Sequence, residues 1–288
     1  FEIILLVNNS DDGSAAAARA FARQHAELAL HVVEIDLPEE VAHVGRARRL
    51  LMDLAAARLG PTGVIATTDA DTVVAPDWIA MTLAEIAAGA DAVAGRILVD
   101  PVGFAEHDRH AQLFHLRDVT YRYLVAELEA RLAPDPFDPW PRHFQHFGPS
   151  MAVTVETYLR SGGMPPLPSL EDVAFSDALR RIGARIRHSP AVRVVTSARP
   201  TGRTGFGFAV QLGCWSQMGA RSEPFMVESV PAIIARLTGQ PLSCEPLAPI
   251  ETTIGDLRRL LSELRARRVG SIHPLEQIQP VRLVVAAD

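Results

Sequence analysis

Short apolar runs alternating with helix-forming stretches limit the fold more than any other feature of this chain. Residues 1–7, 30–35, 63–66 and 90–97 are mainly apolar, and 63–66 carries no charge. Runs of this length bounded by turn residues read as buried strands. Between them lie segments of helical character. An Ala-rich stretch covers 15–25, with Ser14 or Asp12 as candidate N-cap. A second runs from Gly45 to about residue 60, with Leu50, Leu51, Leu54 and Leu59 as its apolar face. A third starts at Pro76-Asp77-Trp78 and reaches about residue 88. Strand and helix in alternation predict an α/β sheet layered with helices.

The strand at 63–66 leads into Thr67-Thr68-Asp69-Ala70-Asp71-Thr72. Ligands bind at the C-terminal ends of strands in open α/β sheets. Alternate residues of an extended segment point the same way, so Asp69 and Asp71 are expected to converge while Ala70 turns aside. Two converging carboxylates suit a hard divalent cation completed by substrate phosphates. The competing reading is a solvated acidic turn.

A chain of 288 residues with 48% hydrophobic content is long enough to bury a sizeable core. Its net charge of −6 offers no basic footprint for nucleic acid. Cys214 and Cys244 have neither metal-site spacing nor a disulfide framework. No apolar run approaches the roughly 18 residues needed to span a bilayer, and residues 1–7 lack the basic lead of a signal peptide. These features lead to the expectation of a cytoplasmic protein with no transmembrane segment.

Beyond residue 100 a long helix is expected over 108–132, stopped by Pro134-Asp135-Pro136. The stretch 137–150 is rich in proline, histidine and aromatic residues. A strand follows at 151–155, then Gly162-Gly163, then a proline-rich loop. Leu170-Glu171-Asp172 opens a helix over 173–182, closed by Gly183. A last strand covers 192–196. Arg199 and Arg203 lie in a glycine-flanked loop after it, and residues 206–288 form helical pieces, clearest over 254–268.

Six segments in order carry a family resemblance. They are Val7-Asn8-Asn9-Ser10-Asp11-Asp12, Gly45-x-Ala47-Arg48, Thr68-Asp69-Ala70-Asp71 with Pro76, Gly148-Pro149-Ser150-Met151-Ala152, Gly162-Gly163, and Leu170-Glu171-Asp172 with Gly183. Over residues 1–200 the chain resembles the family 2 glycosyltransferases, GT-A-fold enzymes that use nucleotide-sugar donors. The resemblance implies a Rossmann-like, mostly parallel sheet sandwiched by helices. It divides the chain into a GT-A domain over 1–205 and a helical C-terminal extension over 206–288. The family's usual leading strand and helix have no counterpart before Phe1, so further chain upstream is expected. The family's Asp-Asp-Gly-Ser reads Asn8-Asn9-Ser10-Asp11 here, and an amide still offers a donor and an acceptor to a base edge. The processive synthases' Gln-x-x-Arg-Trp signature is absent, which points to single transfer.

Site roles follow from the resemblance. Asp71 and Asp69 would hold Mg²⁺ or Mn²⁺. The nucleoside-diphosphate sugar would meet Asn8, Asn9, Arg48, Asp69, Asp71 and Arg203, with Arg199 and Arg203 in a closing loop. Asp172 would be the general base of an inverting transfer, with Glu171 second; either carboxylate would also complement a helix dipole. Trp140, His146 and Ser150 would line the pocket of a hydroxyl acceptor whose identity stays open. His143, His146, His188 and His273 are further metal-ligand candidates or simply hydrogen-bonded histidines. Two other readings are a GT-A-like nucleotidyltransferase and a non-catalytic nucleotide-sugar-binding domain.

Overall fold

The computed structural model describes residues 1–202, 207–242 and 244–268. The chain begins with β1 (Ile3–Asn8), α1 (Ser14–Gln24), β2 (Leu30–Ile35) and α2 (Val44–Arg58). β1 and β2 pair in parallel, Ile3 opposite Leu30 through Asn8 opposite Ile35, as a separate two-stranded sheet. α1 is capped by Gly13 in the left-handed region, while the Asp12 carboxylate accepts the Ser14 N–H at 2.9 Å.

The segments that follow build the larger sheet. They are β3 (Val64–Thr67), β4 (Thr72–Val74), α3 (Trp78–Ala87), β5 (Ala92–Val99), α4 (Pro101–Ala105), α5 (Arg109–Leu132), β6 (Met151–Thr154), α6 (Val155–Arg160), α7 (Glu171–Arg181) and β7 (Ile186–Thr196). The five strands lie in the order β3-β6-β5-β7-β4. The expected α/β architecture is present, but this sheet is mixed rather than mostly parallel. Only β5 and β7 run parallel; β3–β6, β6–β5 and β7–β4 are antiparallel. Direction is set by the connections: β4 follows β3 after four residues and doubles back on the far edge. No periodicity within one strand reports the direction of its neighbour.

Alternation of side chains across the pleat gives the sheet two apolar faces. Ala92, Met151 and Val153 pack with Met52, Tyr158, Phe175 and Leu179 of α2, α6 and α7. Val93, Ala152 and Val194 pack on the other face with Trp78 of α3. The sheet is thus sandwiched, as expected. β7 begins at Ile186, six residues earlier than the sequence suggests, because its N-terminal half is charged yet pairs in parallel with β5.

The C-terminal segment holds α8 (Phe208–Ala220), β8 (Met226–Glu228), α9 (Val230–Thr238), β9 (Leu247–Pro249) and α10 (Ile250–Arg268). The antiparallel β8–β9 pair was not legible in the sequence, being three residues per strand. α5 lends one stripe to this segment. Tyr121 and Leu128 enter a core with Ile233, Leu257 and Leu261, and Ala111 and Phe114 enter another with Leu212 and Trp215. The buried Glu127 carboxylate ties α5 to α10 by accepting from Arg265 at 2.9 Å, and accepts also from Arg131. Among the described residues no helix is long and apolar enough to cross a membrane.

Candidate active site

The antiparallel register of β3 and β6 places Thr67 opposite Met151. The loop 148–150 therefore arrives at the end of β3 where Asp69 and Asp71 stand. That loop is joined to the start of α7: the Gly148 N–H donates to Asp172 Oδ2 at 2.8 Å. Residues some hundred positions apart in sequence meet here through one strand pairing and one hydrogen bond.

Asp69 sits in the turn between β3 and β4 and accepts from Arg48 Nη2 at 2.7 Å. Burial pushes its carboxyl above the usual range; the Arg48 charge opposes this, and the charges of Asp71 and Asp172 add to it. That both charges act on Asp69 places the three carboxylates near one another. Asp71 lies across an ion pair from Arg199 at 3.0 Å, and its carbonyl accepts the Ser197 N–H at 3.1 Å. The loop after β7 thus reaches the acidic turn.

Arg48 projects from α2 with its side chain only 11% exposed. Its Nε lies 3.4 Å from Glu171 Oε1, and its Nη1 is buried without a partner. The guanidinium rests against the backbone of Gly148, where an added Cβ would meet Nη1, Nη2 and Cζ at 2.2–2.6 Å. Because Asp69 and Glu171 pin the guanidinium, it cannot retreat. Gly148→Ala should therefore cost about 1–3 kcal/mol as an overpacked contact. A urea midpoint unchanged from that of the unmodified protein would show that the guanidinium gives way.

Asp172 accepts a second backbone bond, from the Val173 N–H at 2.8 Å to Oδ1. Each carboxylate oxygen keeps another lone pair. Glu171 is buried at 5% exposure. Burial raises its carboxyl, and the Arg48 charge offsets part of this. Its partner is Arg48, whereas the Asp172 carboxylate is only part-buried and joins the loop ahead of β6. Leu170 enters this helix in the left-handed region, φ 56°, a strained setting for a branched side chain.

Other expected site residues fall elsewhere. The amide of Asn9, expected to read a base, is bound at both ends to the backbone of Leu37, at 2.7 and 3.1 Å. Asn8 closes β1 opposite Ile35. Ser150 does not face a pocket: it is 1% exposed and its Oγ accepts the Trp78 indole N–H at 2.9 Å. Trp140 is 42% exposed. Arg203 and His273 lie outside the described residues.

His146 lines a cleft of about 530 Å³ bounded by α5, the loop 135–146, α7 and the start of β7. Asp69, Asp71 and Asp172 do not line it, but Asp172 is near enough for its charge to act on His146. At the floor of the cleft Asp138, 3% exposed, accepts from His188 Nδ1 at 2.8 Å, the His188 N–H at 2.9 Å and Arg187 at 3.0 Å. Burial pushes the Asp138 carboxyl up, and these bonds overcome it, holding the group at about 2. Nothing in the local sequence marks Asp138 as this hub, since its partners come from β7. Among the described residues no three His, Cys, Asp or Glu side chains are grouped to hold a metal. His143, His146 and His188 each hydrogen-bond through a ring nitrogen, to the Ser189 carbonyl, the Phe144 carbonyl and Asp138.

Two of these histidines give the fold a pH dependence. Burial lowers His143 to about 3, and burial with the Arg180 charge lowers His146 to about 4. Folded, both stay neutral in a range where the unfolded chain takes up a proton at about 6.5. The unfolded state then binds more protons, so stability is full above about 6.5 and falls as pH drops toward 4. The urea midpoint should be lower at pH 5 than at pH 7, and the difference should shrink in His146→Asn. A midpoint that does not change between these pH values would exclude the effect.

No curated protein matches the sequence. Among solved structures, the chain is similar to the mannosyltransferase PcManGT from Pyrobaculum calidifontis in complex with GDP-Man and Mn²⁺. That likeness has a TM-score of 0.47 and 18% identity, over 93% of this chain and 78% of that one. It is also similar to the mannosyl-3-phosphoglycerate synthase from Rubrobacter xylanophilus, with a TM-score of 0.35 and 13% identity, over 84% and 76%. Both are distant, and donor, acceptor and metal are properties of those proteins. The model of glycosyl transferase family 2 matches residues 1–147, just over half of the 288. That stretch carries β1, the acidic turn after β3 and the approach to Gly148, and on this match the chain belongs to glycosyl transferase family 2.

Proposed function

We propose that this glycosyltransferase moves one sugar from a nucleoside-diphosphate sugar to an acceptor hydroxyl, with inversion at the anomeric carbon and with a divalent cation, Mg²⁺ or Mn²⁺. The observation that carries the reading is that Asp69 and Asp71 of one turn stand near Asp172, some hundred residues further on, closely enough for the charges of Asp71 and Asp172 to act on the Asp69 carboxyl, which is itself bound to the buried Arg48. Asp69 and Asp71 offer hard carboxylate oxygens, which fit Mg²⁺ or Mn²⁺ completed by phosphate oxygens. Bound there, the cation would supply positive charge to a leaving diphosphate.

The remaining roles belong to protein groups. The acceptor oxygen bonds to the anomeric carbon as the bond from that carbon to the β-phosphate oxygen breaks. The electron pair leaves with the diphosphate, and the hydroxyl proton passes to Asp172. Arg199, paired with Asp71, brings donors to the diphosphate. Arg48 orients Asp69, and Glu171 holds Arg48 from the other side. We assign residues 1–205 to the catalytic domain and 206–288 to a C-terminal extension, whose described helices pack on α5. The test incubates the protein with a panel of nucleotide sugars, hydroxyl acceptors and Mn²⁺ or Mg²⁺. Released diphosphate and the anomeric configuration of the product, read by NMR, are the measurements. No release with any donor, or a retained configuration, would overturn the reading.

A further inference from the structure

The cleft beside His146 has a lining that selects among acceptor classes. Every guanidinium on it already has a carboxylate partner. Arg142 is held by Asp138 at 3.1 Å and Glu129 at 3.4 Å. Arg236 lies on Glu228 at 3.1 Å and Glu129 at 3.2 Å. Arg122 is bound to Asp118 at 2.8 Å and Arg180 to Asp177 at 3.1 Å. Asp135, also on the lining, pairs with no cation among the described residues. A phosphate or carboxylate would have to displace protein carboxylates from these arginines, so an anionic ligand is disfavoured. An apolar ligand is disfavoured as well, because most of the lining is polar or charged and desolvating such groups without replacing their bonds costs free energy.

Two imidazoles remain available. His146 Nδ1 donates to the Phe144 carbonyl at 3.1 Å, which leaves Nε2 as an acceptor lone pair on the neutral ring. His188 Nδ1 is turned to Asp138, which leaves its Nε2 for the cleft. Neither Nε2 has a hydrogen-bond partner among the described residues, and neither is a buried unpaired atom. The two rings are 6.1 Å apart between centroids. A hydroxyl both donates and accepts, so it suits each nitrogen. Rings this close can be met by hydroxyls of a single sugar or cyclitol ring. Phe144 adds an aromatic wall.

We infer that this cleft is the acceptor subsite and takes a neutral, hydroxyl-rich acceptor, of the sugar or cyclitol class, read by His146 and His188 through their Nε2 atoms. The inference rests on the sugar-transfer reading and names its acceptor class. His146 stands two residues before Gly148, whose N–H is bound to Asp172, so the cleft adjoins the proposed general base.

The test is NMR of the protein labelled in histidine, with the two imidazoles assigned by His146→Asn and His188→Asn. The neutral probes are myo-inositol and methyl hexopyranosides. Glycerol 3-phosphate is the anionic probe and octanol the apolar one. At least one neutral probe should shift both imidazole signals with a saturating isotherm in the millimolar range, about 1–10 mM. His146→Asn, which replaces the ring nitrogen but retains a polar side chain, should weaken that isotherm up to about tenfold, the scale of one lost hydrogen bond. If no neutral probe saturates, or only glycerol 3-phosphate or octanol does, the inference fails. The titration needs neither donor nor turnover. Failure of sugar transfer would appear instead as no diphosphate released, so the two failures are separable.

Discussion

Asp172→Asn is expected to lower turnover by about 10²–10⁴-fold, the usual scale for loss of a general base, while donor affinity changes little. The carboxylate stands at the start of α7 and accepts backbone N–H groups from Gly148 and Val173. An asparagine amide keeps one oxygen acceptor and turns an NH₂ toward the other N–H, so one of the two bonds is lost. That loss should cost about 1–3 kcal/mol of stability, the desolvation cost of a donor left unpaired. The two effects separate the readings. If Asp172 only fastens Gly148 to α7, the variant loses stability and its rate falls no further than its folded fraction. If Asp172 takes the acceptor proton, the rate collapses in protein that is still folded at the assay temperature. Steady-state transfer kinetics, a urea curve and a donor titration on this one variant decide. Near-normal turnover would remove Asp172 from the chemistry. Glu171 would be a poor substitute, since it is buried and turned to Arg48.

The second large effect is expected at Asp71→Ala. Metal-dependent binding of a nucleotide sugar should weaken by at least about 100-fold, because even the outer partners of metal ligands are worth 10–100-fold in metal affinity. The Asp71 side chain is 31% exposed and contributes no apolar packing, so the fold should survive. Its loss also frees Arg199 from its ion pair, which leaves an extra cation near the diphosphate. Metal-independent affinity should therefore hold steady or rise slightly, while the Mn²⁺-dependent part disappears. Isothermal titration with donor, with and without Mn²⁺, measures both parts. An undiminished Mn²⁺ response would rule out Asp71 as a ligand.

Much of this protein was legible in its residues. The strands at 30–35 and 64–67 and the helix at 109–132 follow from apolar runs, periodicity and the Asp108 cap, whose carboxylate accepts the His110 and Ala111 N–H groups. These are local properties, set by side-chain preference and by backbone groups a few residues apart. The place of the acidic turn at a strand end was legible for the same reason, and the order of six short motifs marked the family.

Tertiary structure alone decided what lies beside what. That β4 crosses to the far edge and β6 runs against β3 depends on chain connections, which leave no periodic trace within a strand. The same register brings the loop of Gly148 to the end of β3, and the Gly148 N–H fastens Asp172 there. The fold also withdrew residues that the family resemblance offered as ligand contacts. Asn9 satisfies its amide on Leu37, and Ser150 satisfies its hydroxyl on Trp78, since a polar group near packed backbone finds the nearest partner. Arg48 kept its place in the site, with Nη2 on Asp69 and Nε toward Glu171, while Nη1 has no partner. Hydrogen bonds between distant residues close only when the sheet closes, and that is why sequence named the acidic pair while the fold chose its company.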